Sequence, residues 1–419
     1  LPDLPAVATP EPWMAALLAD CDGRLGPGPG CALLPRGTLR ITSRPGARVE
    51  PVAIGAVEDV PGAVAAACAA ARAGAAATEL RLELDLAAPA PPAVEPVTPV
   101  IEHRTRERLG PTGGGAAMIV GPGVVRAGAI GGLRAFAAAA GLGVANTWGA
   151  KGVFAWDSPH HMGTAGLQEL DFELLGFGDA SVLVASGIDP DESAPERFAL
   201  APVVPVAPAH LSAELGRQLG RQPDAIPPNR LYERLAAIAQ PGYVADKVPL
   251  HPARAVADLR AALPPGAVVS AQPGVAGLWV ARTFPTTEPE SVVVPATVAP
   301  GVAAGIALAA TVRGHPAVAV VTEPGDDATT ALAELARSLG RSFVLSVWSP
   351  PARGTTVGTL RGGVEGHAAA LAAAFATPGV TDVRVPVAVT DTALLVDTAG
   401  PVVAWPELPP SCFGVADGR

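Results

Sequence analysis

The pattern of apolar and polar positions divides the chain into segments of different character. Residues 1 to 45 carry Pro and Gly throughout, including Gly26-Pro27-Gly28-Pro29-Gly30, and only Trp13 to Leu18 reads as a short helix. This part reads as structurally poor. From Pro51 the pattern tightens. Ala53 to Val57 reads as a strand, Val60 to Ala77 as an alanine-rich helix, and Glu79 to Leu86 alternates with period two, as a half-buried strand does. The Pro-rich stretch Ala87 to Pro99 reads as an extended linker.

From Ala116 strands and helices alternate. Ala117 to Val120 is an apolar strand, followed by a glycine turn, a helix through Leu133 to Ala140 and a strand near Gly143 to Ala145. Asp179 to Gly187 reads as a buried strand with a glycine stop, and Val203 to Ala207 as the next. A linker-like region at Gln222 to Pro228 leads through a helix into His251-Pro252. A third segment then places strands at Val268 to Ser270, Val292 to Val294, Ala317 to Val321 and Phe343 to Val347, with helices at Val302 to Val312 and Thr329 to Leu339. Continuous apolar strands of this kind predict parallel sheets covered on both faces. The fold class expected is α/β, as serial Rossmann-like parallel-sheet domains over residues 1–95, 96–240 and 241–419.

Composition narrows the function classes. Against 29 Lys and Arg stand 39 Asp and Glu, a net charge of -10, so no basic surplus exists for a polyanion and nucleic-acid binding is disfavoured. Hydrophobic residues make up 49% of the chain, enough for sizeable cores. The uncharged run Ser291 to Val312 is interrupted by Pro295, Pro300 and Gly301 and reads as strand, loop and helix rather than a membrane span. Cys21, Cys31, Cys68 and Cys412 form no CxxC pair and no Cys/His cluster, so neither a zinc site nor a disulfide framework is indicated, and a cytoplasmic protein with reduced thiols is expected. No signal peptide is visible. The first residue is Leu1 rather than Met, which leaves a trimmed N-terminus open.

Several polar positions bear on chemistry. The turn Gly121-Pro122-Gly123-Val124-Val125-Arg126 follows a strand and opens a helix, where backbone N–H groups can cradle a phosphate. Its spacing is not GxGxxG. It is either a tight structural turn or a site where Gly121, Gly123 and Arg126 surround the diphosphate of a flavin-like or CoA-like nucleotide. His160 and His161 are adjacent, so their side chains point to different faces and read as loop histidines rather than a metal pair. Asp189-Pro190-Asp191-Glu192 follows a strand end, where open sheets bind ligands, but reads first as a solvated loop. Ser186 and Ser349 lack a GxSxG turn, so nucleophilic hydrolysis has no support.

Three stretches carry a family resemblance: Gly141 to Phe154 with its Lys151-Gly152, Asp157 to Gly163, and Asp179 to Gly187. In order and spacing they resemble the central domain of thiamin-diphosphate (ThDP) enzymes of the acetohydroxyacid (acetolactate) synthase and 2-oxoacid decarboxylase type. The third segment resembles the cofactor-binding PP domain of that family. Leu263 to Phe284 looks like its opening strand and loop, Val298 to Gly301 sits where the family has a GxMG turn, and His315 to Val321 looks like the strand before the metal motif. The resemblance covers roughly residues 50 to 350.

The resemblance implies ThDP and Mg²⁺ as cofactors, with oxygen ligands on the metal. In the family an Asp of a GDG motif and a later Asn hold the ion. Here the strand is followed by Thr322-Glu323-Pro324-Gly325-Asp326-Asp327, making Asp326 the candidate metal ligand, and the Asn position reads Val347-Trp348-Ser349-Pro350. The loop that presents an acidic residue and a His reads Gln272-Pro273-Gly274. Gln272, Gly301, Gly325, Asp326 and Asp327 are thus the candidate cofactor contacts. The family's activating glutamate lies in a pyrimidine-binding (PYR) domain, and Thr42 to Leu86 looks like only the closing unit of one, with no His-Glu pair and with Glu50 as a poor substitute.

The expectation is therefore a homodimer or tetramer of the ThDP-enzyme architecture with a truncated PYR-like domain, a degenerate site, and a scaffold, regulatory or nucleotide-binding role. The alternative is an active ThDP- and Mg²⁺-dependent decarboxylase or carboligase completed by a second protein chain or by missing N-terminal residues.

Overall fold

A computed structural model describes residues 6–26, 28–74, 76–84, 115–221, 230–323, 325–349 and 365–414. The chain divides into two compact units, Leu1–Arg106 and Glu107–Arg419.

In the first unit the helix Pro12–Arg24 starts on a proline, whose fixed φ and missing N–H suit a first helical position. Strands β1 (Gly30–Leu34), β2 (Thr38–Thr42), β3 (Val49–Ile54) and β4 (Ala77–Leu82) form one sheet in the order β1-β2-β4-β3. The β1–β2 and β2–β4 pairs are antiparallel and the β3–β4 pair is parallel. The expectation of a structurally poor start is thereby overturned. The reason is legible at Gly30: a Cβ there would lie 1.8 Å from the Ala19 carbonyl oxygen, so this glycine allows helix and hairpin to approach closely rather than marking a loop. Between β3 and β4 the helix Val60–Arg72 ends before the expected Ala77, because Gly74 takes the left-handed conformation and Ala77 opens a strand. Ile41, Ile54, Ala67, Ala71 and Leu80 form its core, and Arg40 bridges Asp20 through two 3.0 Å hydrogen bonds and Glu79 at 3.1 Å. Glu50 is exposed on β3.

The second unit contains two sheets whose registers are parallel throughout. The first comprises β5 (Ala116–Val120), β6 (Val144–Thr147), β7 (His161–Ala165), β8 (Val182–Ser186) and β9 (Val203–Pro205), in the order β7-β6-β5-β8-β9. The second comprises β10 (Val268–Ala271), β11 (Val292–Val293), β12 (Ala317–Thr322), β13 (Phe343–Ser349) and β14 (Val380–Pro386), in the order β11-β10-β12-β13-β14. Every position of β5's last three residues and of β8 is buried, which is why these strands read as continuous apolar runs. The helix Val302–Val312 falls where the sequence places it and is buried from Val302 through Thr311. Among the described residues no helix is long and apolar enough to cross a membrane. Two sequence expectations change: the stretch after β10 is not an extended loop but the helix Val275–Thr283, and His161 opens β7 instead of lying in a loop.

A buried polar junction ties the two sheets together. Gln168 donates through Nε2 to the carbonyls of Leu395 (2.8 Å) and Gly400 (2.7 Å). Arg282 donates to the Gln168 side chain (3.2 Å), the Thr164 carbonyl (2.7 Å) and the Asp171 carboxylate, and neither charged side chain is exposed. All three donor directions of the guanidinium are thus met, as a buried charge requires.

Candidate functional site

In open parallel sheets ligands gather at the carboxyl ends of strands, where the strand order reverses. Each sheet of the second unit has one such point. In the second sheet it lies between β10 and β12. There Gln272, just after β10, accepts a hydrogen bond at its Oε1 from the Thr322 N–H at 3.2 Å. Asp326 is the N-cap of the helix Asp327–Ser338, its carboxylate accepting from the Thr329 N–H at 2.6 Å. Gly325 and Asp327 are exposed. Gly301 has φ +71° and precedes the helix Val302–Val312; a Cβ on it would stand 2.8 Å from Leu332 Cδ1 and 3.0 Å from Ala328 Cβ. Its glycine therefore lets that helix start dock on the helix that Asp326 caps.

The neighbouring strand end is apolar. Trp348, at the C-terminal end of β13, is 1% exposed, and its carbonyl accepts from the Glu323 N–H at 3.0 Å. The Glu323 carboxylate is ion-paired with Arg384. A Mg²⁺–diphosphate group needs several hard oxygen donors converging on one point. Here one carboxylate caps a helix, a second is paired with a guanidinium, and the buried Trp348 stands one residue before the end of β13. Among the described residues no group of three or more His, Cys, Asp or Glu could hold a metal ion. Among the described residues, the side chains around this strand end do not fit that group.

The first sheet reverses between β5 and β8, and there Gly121, Gly123 and Arg126 come together with Gly187 and Asp189. The Gly121 N–H donates to the Ser186 carbonyl (2.9 Å) and the Gly123 N–H to the Gly187 carbonyl (2.8 Å). A Cβ on Gly123 would lie 2.7 Å from Gly187 Cα. Arg126 meets Asp189 with both terminal nitrogens, at 2.8 and 2.5 Å. The amides and the cation of the turn are therefore bonded to the loop after β8, which suits a packed structural turn. Two of the three carboxylates after β8 are buried, contrary to the sequence expectation, Asp189 at 3% and Glu192 at 5% exposed, while Asp191 is exposed as expected. Glu192 accepts from the Thr147 hydroxyl and, at 3.2 Å, from the Gly149 N–H. Partners 63 and 45 residues away turn an exposed-looking acidic loop into a buried polar latch.

A third place was not legible as a site. A cavity of about 230 Å³ lies among Lys151, Trp156, His161, Thr164, the helix Arg230–Tyr243 and the residues from Arg282 to Pro285. Lys151 is buried, and burial first and Arg282 second hold its ammonium down to about 7. Burial, then the charge of Lys151, hold the His161 imidazole down to about 4. Tyr243 is pushed up to about 12, mainly by burial, and its hydroxyl donates to the Thr283 carbonyl. The sequence held one clue: of 29 basic side chains only Lys151 and Lys247 are lysines, and Lys151 sits between small and apolar residues.

Residues 116–214 match the family model of the thiamine pyrophosphate enzyme central domain, which contains the first sheet and its latch. Two solved structures are similar to the chain in fold. One, from Mycobacterium smegmatis and provisionally assigned as a thiamin diphosphate-dependent enzyme, is 19% identical with TM-score 0.56, over 82% of this chain and 77% of its own. The other, a benzoylformate decarboxylase from Polynucleobacter necessarius, is 17% identical with TM-score 0.57, over 82% and 76%. No curated protein matches the sequence.

Proposed function

We propose that this protein is a ThDP-enzyme-family member that keeps the fold and serves as a scaffold or regulatory partner, without the standard ThDP and Mg²⁺ chemistry. The match over 116–214 and the two fold neighbours support the family. The observation that carries the loss of chemistry is at Asp326. The carboxylate that the sequence offers to a metal is the N-cap of a helix, while the buried Trp348 stands one residue before the end of the neighbouring strand.

A nucleotide role in the central domain has less support, since the Gly121 and Gly123 amides are bonded and Arg126 is paired with Asp189. Assembly as a homodimer or tetramer, a cytoplasmic location and association with a second protein chain belong to the same proposal.

The test is isothermal titration of the purified protein with ThDP and Mg²⁺. No heat of binding at millimolar cofactor is expected. Tight, Mg²⁺-dependent binding would overturn the proposal in favour of an active decarboxylase or carboligase, completed by another chain. Light scattering of the same sample reads the assembly state.

A further inference from the structure

The cavity beside Lys151 uses none of the residues assigned to a metal, a diphosphate or the latch, so its role is independent of the proposed function. Its walls are of two kinds. Leu235, Ala236, Ala239, Phe284 and Pro285 form an apolar side, with Trp156, 46% exposed, also lining the space. The polar side holds Lys151, His161 and Tyr232.

Two features of the polar side are unusual for a packed interior. Lys151 is 7% exposed, yet among the described residues no carboxylate lies within ion-pairing distance of it. Its charged neighbour Arg282 is itself a cation and is already paired with Asp171. Buried lysines are almost always paired, because desolvating an uncompensated charge is costly. Beside it, Nδ1 of His161 is buried with no hydrogen-bond partner, while the ring contacts Tyr232 edge-on at 6.1 Å. Such unmet groups in a native interior call for a partner.

We infer that this cavity binds a small monocarboxylate with a compact apolar body, its carboxylate meeting the Lys151 ammonium beside the His161 ring, and its body lying against Leu235, Ala236 and Ala239. The volume lies below the roughly 300–1,000 Å³ of pockets for drug-sized ligands, which limits the occupant to a small metabolite. A phosphate dianion is disfavoured, since one ammonium and one imidazole offer too few donors for its oxygens, whereas a carboxylate is satisfied by them. The remaining titratable groups lining the space are engaged elsewhere or neutral: Tyr243 donates to Thr283, Arg282 is bound to Asp171, and Tyr232 is held un-ionised by burial.

The experiment is titration of the whole protein with benzoate and 3-methylbutanoate, with benzamide as the neutral isostere of the first, followed by calorimetry and by Trp fluorescence. Benzoate is expected to bind and benzamide to bind at least about tenfold more weakly, the step expected from losing one charged hydrogen bond. Lys151→Met should weaken benzoate by a similar or larger factor, and Ala236→Phe, which fills the cavity and leaves the charge, should weaken it too. Melting curves establish that both variants are folded. No binding of either carboxylate at roughly 10 mM, equal binding of benzamide, or unchanged binding by Lys151→Met would each overturn the inference.

Discussion

Arg126 and Asp189 face each other across the point where the strand order of the first parallel sheet reverses, joined by hydrogen bonds of 2.8 and 2.5 Å with both side chains buried. The helix end after β5 and the loop after β8 are thereby fastened at the place where an open sheet would admit a ligand. Removing one partner breaks a buried ion pair, which costs about 3–5 kcal/mol, whereas replacing both with apolar residues is far milder. Arg126→Met and Asp189→Leu should each lower urea stability by that order. The double variant should be more stable than the sum of the two losses. Additive losses in the double-mutant cycle would show that the pair is not coupled.

Gly149 and Glu192 make a second tight contact. An added Cβ on Gly149 would stand 1.8 Å from Glu192 Oε1, too close for any side chain unless the carboxylate moves. Moving it breaks the bonds to the Thr147 hydroxyl and the Gly149 N–H. Gly149→Ala is expected to cost about 2–4 kcal/mol, the range for losing buried hydrogen bonds together with overpacking. In a Glu192→Ala background the same substitution should cost clearly less, as denaturant titration of the four proteins would read.

Asp326 provides a smaller and more diagnostic effect. If its carboxylate serves as a helix cap, Asp326→Ala should lower stability by about 1 kcal/mol and Asp326→Asn by little, since Asn caps as well. Addition of Mg²⁺ should leave the melting temperature of all three proteins unchanged. A Mg²⁺-dependent rise seen only in the wild type would assign Asp326 to a metal instead.

Stability should also depend on pH through Lys151 and His161. The folded Lys151 titrates near 7, below its ordinary 10.5, so well below pH 7 it is charged in both states and its burial cost is fully present. Between about 7 and 10.5 only the unfolded chain holds the proton, so stability rises with pH. Lys151→Met should therefore be more stable than wild type by a few kcal/mol at pH 6.5, with the gap closing toward pH 10.5. His161 acts in the same sense between about 4 and 6.5, so His161→Phe should flatten the wild-type rise across that window. Urea midpoints measured across both windows decide each case.

Elements whose pattern is local were legible from the residues alone. Met118 to Val120, Val182 to Ser186 and Ala317 to Val321 are buried on both faces, so an uninterrupted apolar run marks each strand without knowledge of its neighbours. The helix Val302–Val312 is equally plain, being apolar all round because it is buried all round. Motif order within residues 141–187 also pointed to the family model that residues 116–214 match.

Features whose partners lie far along the chain needed the folded molecule. Gly30 reads as a loop residue until the Ala19 carbonyl is placed against it. Asp189 and Glu192 read as solvated until Arg126 and Thr147 are brought to them, across 63 and 45 residues. Lys151 becomes a buried, unpaired cation only when the helices Arg230–Tyr243 and Val275–Thr283 close around it. Burial and charge pairing depend on which surfaces meet, and periodicity along one segment carries no record of that.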